Sequence, residues 1–120
     1  MGSEDGIRRT IAMYCHLFDA KQWDELAKIF ADDASVTSRR GTFQGRANVI
    51  RDLQSAMTDD YHGTLFTSNS WITVDGDTAS AVSDFLEVED TGVVATGTYH
   101  DTFTRSGETW LLASKEIRLK

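Results

Sequence analysis

Apolar residues recur at Ile7, Ile11, Tyr14, Cys15 and Phe18, the three-and-four spacing of an amphipathic helix. A second, shorter period at Trp23, Leu26, Ala27 and Phe30 follows a tight joint at Asp19-Ala20-Lys21-Gln22. Residues 7–34 therefore predict a helix-turn-helix opening. A short strand is expected at 34–37 and a turn or small hairpin at 39–44. A third helix follows Gly45, with Ala47, Val49, Ile50, Leu53 and Met57 on its apolar face and Thr58-Asp59-Asp60 at its close.

The second half changes period. Four β-rich stretches, near 61–74, 78–89, 93–104 and 109–119, are separated by Asp75-Gly76-Asp77, Asp90-Thr91-Gly92 and Arg105-Ser106-Gly107-Glu108. Asp, Gly and Ser tolerate turn dihedrals, so the pattern predicts a meander of antiparallel hairpins. Stretches of that length suit a sheet that curls. Helices first and a long sheet afterwards give an α+β domain with the helices on the concave side. The inward candidates are Phe18, Phe30, Phe66, Trp71, Phe85, Tyr99, Phe103 and Trp110, and for most of them filling a core is the simpler reading.

One residue breaks the pattern. Asp19 puts a carboxylate at the C-terminal end of an apolar helical stripe, the unfavourable end of the helix dipole. Solvent, a local hydrogen bond or a partner elsewhere must compensate it.

At 120 residues the chain is long enough for one domain, residues 1–120, and too short for two. The formal net charge of −7 argues against nucleic acid or an anionic membrane as a partner. A lone cysteine on an apolar stripe, Cys15, reads as a small buried hydrophobe. With no CxxC and no Cys/His cluster, a structural zinc site is not expected. No signal segment and no membrane-length apolar run is present, so the expected setting is cytoplasmic.

Read in order, these residues resemble the SnoaL-like branch of the nuclear-transport-factor-2-like superfamily. The resemblance rests on Tyr14-x4-Asp19, Trp23, Leu26, Phe30-x-Asp32-Asp33-Ala34, Gly41 and Gly45-Arg46. It continues through His62-x6-Asn69-x2-Ile72, Asp75-Gly76-Asp77-x-Ala79, Gly97-x-Tyr99-x-Asp101 and Trp110. No single motif is specific; the ordered set is. It implies a cone-shaped barrel, three helices against a strongly curved, mixed and mainly antiparallel sheet, in a homo-oligomer that is a dimer or a trimer. Exposed aromatics such as Trp71 or Trp110 would suit a dimer face.

Enzymes of this superfamily include scytalone dehydratase, bile acid 7α-dehydratase and hexachlorocyclohexane dehydrochlorinase. The resemblance implies a cofactor-independent elimination, or an isomerisation, on a small and largely apolar molecule. It places the general base at His62, the carboxylate that orients it at Asp19, a proton or hydrogen-bond donor at Tyr14 and a basic group on the last strand at Arg118. The types suit the task. Histidine titrates near neutrality, a carboxylate fixes its tautomer, and Tyr and Arg can hold a developing oxyanion.

The substrate-binding candidates are Phe18, Phe66, Asn69, Phe85, Tyr99 and Asp101. Plainer roles stand beside these: a helix end for Asp19, a surface histidine at His62, a core hydroxyl at Tyr14, a solvated strand end at Arg118, a pinned bulge at Asn69. His16 reads as structural, His100 faces away from Tyr99 and Asp101 if its strand is regular, and Asp84 receives no role. The same fold also serves as a non-catalytic ligand-binding or dimerisation module, and that is the alternative function.

Overall fold

The computed structural model describes residues 2–120. Its elements run α1 (Ser3–Asp19), α2 (Trp23–Ala27), β1 (Phe30–Ser38), β2 (Gly41–Gln44), α3 (Arg46–Ala56), β3 (Thr64–Asp75), β4 (Thr78–Glu89), β5 (Gly92–Ser106) and β6 (Thr109–Leu119). The four long strands fall where the alternation puts them, with β4 and β6 at the expected bounds. The early half differs. α2 ends before Ile29, and Phe30 opens a nine-residue strand instead of closing a helix. Phe30 pairs with Leu112 of β6, so tertiary pairing overrides a three-to-four spacing only two turns long.

The six strands form one sheet in the order β2-β1-β6-β5-β4-β3. Only β1 and β6 run parallel; every other neighbour is antiparallel. The outer strands β2 and β3 do not pair, so the cone is a curved open sheet and not a closed barrel. Its concave face packs on α1 and α3 through Ile7, Ile11, Tyr14, Val49, Leu53, Phe103 and Leu112. No helix among the described residues is long and apolar enough to cross a membrane.

Two register shifts decide which side chains face inward. A strand alternates faces, and one extra residue swaps every side chain beyond it. In β6 the pairing passes from Phe103–Leu112 to Thr102–Ser114, skipping Ala113. Trp110 and Leu112 face the core before the shift, and Lys115 does so after it. In β3 the ladder breaks between Ser68 and Trp71. There Asn69 adopts φ 54, a conformation Asn tolerates better than most residues, and its amide donates to Asp84 Oδ2 at 2.9 Å.

Candidate functional site

Between α1, α3 and the concave sheet lies a pocket of about 240 Å³. Its aromatic wall is Tyr14, Phe18, Phe85 and Tyr99. The rings lock one another: Phe85 stacks on Tyr99 at 4.3 Å, and Tyr14 meets Tyr99 edge-on at 5.9 Å. Arg39, Arg40 and Glu87 supply charge at its margin. Arg40 is anchored by two hydrogen bonds, of 2.9 and 3.0 Å, to the buried Asp52 of α3, which ties the β1–β2 turn to the helix. Neither the Tyr14 nor the Tyr99 hydroxyl finds a hydrogen-bond partner among the described residues, and neither is a sealed-in orphan. Both phenols are therefore free to donate into the pocket.

Under these rings is a buried ion pair. Lys115 Nζ lies 3.1 Å from Asp101 Oδ1, with both side chains 2% exposed. The ammonium also sits over the Tyr99 ring at 3.6 Å and the Tyr14 ring at 4.3 Å, a desolvated cation–π geometry. Burial pushes the Asp101 carboxyl up and the Lys115 amine down, while each charge pulls its partner back. Burial likewise raises both phenols, so they remain protonated donors.

The partner required for Asp19 lies on the segment leading into β3. Its carboxylate accepts the Leu65 backbone N–H at 3.0 Å and the Tyr61 hydroxyl at 3.4 Å. Burial raises its pKa; those two hydrogen bonds and the charge of His16 work against the rise. Lys21, at φ 57 in the α1–α2 joint, donates to the Asp59 carbonyl at 2.9 Å and ties the same segment a second time.

The expected Asp19–His62 hydrogen bond is absent, and His62 is exposed. Gly63 is the local reason. A Cβ there would lie 2.6 Å from the Tyr61 ring, so the ring folds over a bare glycine, packs on Phe18 and takes the place beside Asp19. His62, the next residue, turns outward.

The other expected positions divide. Tyr14, Phe18, Phe85 and Tyr99 line the pocket. Asp101 faces inward but is spent on Lys115. Arg118 faces outward and bonds Glu116, because the β6 shift gives the inward parity to Lys115 and Ile117. Of the inward candidates, Phe66 is 53% exposed and Trp71 78%, both on the convex face; Trp110 is 4% exposed, so it fits the inward reading and not an exposed dimer face. Asn69 pins the β3 bulge instead of lining the pocket, and Asp84 is what it pins to.

Sequence reasoning missed Glu87, Arg40 and Lys115. Glu87 lines the pocket, and burial raises its carboxyl, with Glu89 and Asp19 adding to the rise. Its only sequence signal is its alternation with Phe85 on β4. Among the described residues no three His, Cys, Asp or Glu side chains converge as a metal ion would require.

A SnoaL-like domain model matches residues 2–116. Several solved structures share the fold. A nuclear-transport-factor-2-like protein with a cystatin-like fold from Novosphingobium aromaticivorans is 25% identical, with a TM-score of 0.81, over 97% of this chain and 80% of its own. A candidate scytalone dehydratase from the same organism is 22% identical, with a TM-score of 0.86, over 98% and 83%. A hexachlorocyclohexane dehydrochlorinase from Novosphingobium barchaimii is 20% identical, with a TM-score of 0.84, over 98% and 86%. No curated protein matches the sequence significantly.

Proposed function

We propose, from the premise that this chain belongs to the SnoaL-like domain family, that it is a cofactor-independent lyase or isomerase of a small, largely apolar molecule. The observation that carries the reading is the pair of unpartnered phenols, Tyr14 and Tyr99, in an aromatic-walled pocket. Two neutral donors in an aromatic-walled site stabilise an oxygen that gains negative charge as a neighbouring C–H proton leaves. Lys115, under both rings, adds positive potential without touching the ligand.

Proton removal falls to the mouth of the pocket. Glu87 lines it directly, and its raised pKa brings a carboxylate nearer the range of an effective base. His62 remains the base that the family resemblance implies, and it sits on the segment Asp19 pins through Tyr61 and Leu65. Asp19 is then a positioning residue that holds the segment through backbone and Tyr61, not through the imidazole. The dehydratase and dehydrochlorinase names among the structural neighbours favour elimination as the reaction class.

The test is a panel of cyclic ketones and β-hydroxy ketones incubated with the protein in deuterium oxide and followed by proton NMR. Enzyme-dependent deuterium uptake beside the carbonyl, or loss of water, is expected, and Tyr14→Phe should lower it by about 100-fold, the loss expected for one oxyanion donor. Glu87→Gln and His62→Ala decide between the two bases. Compounds that bind in the pocket without any exchange would replace the enzyme by the non-catalytic binding module.

A further inference from the structure

A larger cavity lies elsewhere. A groove of about 630 Å³ opens between the N-terminal half of α1, the α2–β1 junction and the β5–β6 turn. Met13, Ile29, Leu111 and Trp110 contribute its apolar side chains. Trp110 is 4% exposed, held by a close approach to α1: a Cβ on Gly6 would come within 2.8 Å of its ring. Its carbonyl takes the Thr10 hydroxyl at 2.6 Å. The indole N–H, in contrast, finds no acceptor among the described residues and is not sealed from solvent. A nearly buried donor is thus left open on the groove.

The rim carries Arg9, Lys28 and Arg105 against Glu25 and Glu108. Lys28 is spent on Glu25 at 2.9 Å, and Arg105 pairs with Asp77 while its guanidinium lies 6.0 Å from the centre of the Trp110 ring. Arg9 makes no ion pair among the described residues, so it is the rim cation available to a ligand. A free guanidinium and a free indole N–H, both donors with no acceptor role, in a groove that also presents Met13, Ile29 and Leu111, call for a flat apolar body that ends in an anionic acceptor.

We propose that this groove is a second small-molecule site, separate from the aromatic pocket, for an aryl carboxylate, with Arg9 and the Trp110 N–H holding the carboxylate and Met13, Ile29 and Leu111 holding the ring. Glu108, at the turn, opposes the ligand's charge and limits its affinity.

The chain has three tryptophans, Trp23, Trp71 and Trp110, hence three indole N–H signals in a nitrogen-15 correlation spectrum. Benzoate is the probe, with benzyl alcohol as the neutral control. Millimolar benzoate should shift the Trp110 signal saturably, and benzyl alcohol should not. Arg9→Gln, at an exposed position outside the core, should weaken binding by about tenfold, the loss of one charge-assisted contact, and Glu108→Gln should tighten it. No saturable Trp110 shift, an equal response to benzyl alcohol, or unchanged binding in Arg9→Gln would overturn the proposal. A shift confined to the Leu65 amide would place benzoate in the aromatic pocket and overturn it as well.

Discussion

Asp19 and Asp101 face the same problem and meet it in opposite ways. Both carboxylates are drawn out of water, and burial raises both. Asp101 sits in the core and holds a full counter-charge, Lys115, at 3.1 Å. Asp19 is only partly buried and is hydrogen-bonded by dipoles, a backbone N–H and a phenol. A charge that is fully desolvated must be matched by another charge; one that keeps some solvent can be held by hydrogen bonds and used to position a loop. The core pair thus sets the potential under the tyrosines, and the Asp19 carboxylate sets where the 61–65 segment lies.

The largest expected effect comes from breaking the core pair. Lys115→Met should cost about 3–5 kcal/mol in urea unfolding because it leaves Asp101 buried and alone. Lys115→Met combined with Asp101→Leu should recover most of that loss; a double variant as unstable as the single one would mean that packing, not charge, holds the site. At the α1 terminus, Asp19→Ala should cost about 1–3 kcal/mol, the penalty for an orphaned Leu65 N–H, and should raise amide exchange at Leu65.

The smallest effect is in titration. The Asp19 carboxyl, followed by carbon-13 NMR, should have a midpoint above that of an ordinary aspartate. Tyr61→Phe should raise it further, since the phenol hydrogen bond favours the ionised form. A folded pKa above the unfolded one means that Asp19 contributes stability at low pH and loses it as pH rises through the folded value. Asp19→Asn should flatten that part of the stability profile, and an unchanged profile would break the contrast with Asp101.

Much of the fold was legible because it rests on local rules. The turns at Asp75-Gly76-Asp77 and Arg105-Ser106-Gly107-Glu108 are fixed by residues that tolerate turn dihedrals; Gly107, for instance, takes φ 62. The stripe of Ile7, Ile11 and Tyr14 buries as its spacing requires. Half of the site was legible on the same basis: Tyr14, Phe18, Phe85 and Tyr99 converge because helix and strand periods carry them inward. Asp19 was legible as a problem, since a carboxylate at a helix C-terminus needs a partner. That the partner is Tyr61 and Leu65 depends on Gly63, whose missing Cβ gives the Tyr61 ring its place.

The sequence by itself determined the order of elements, the α+β class and the lining by Tyr14, Phe18, Phe85 and Tyr99, because each follows from contacts between residues near in the chain or from regular periodicity. Only the tertiary structure decided the polarity of the site. One skipped residue at Ala113 turns Lys115 inward and Arg118 outward, and one bulge at Asn69 puts Trp71 on the convex face. A one-residue slip leaves composition and hydrophobic pattern unchanged while exchanging every side chain beyond it between core and solvent. It is set by what the neighbouring strands present across the ladder, and that is a property of the assembled sheet alone.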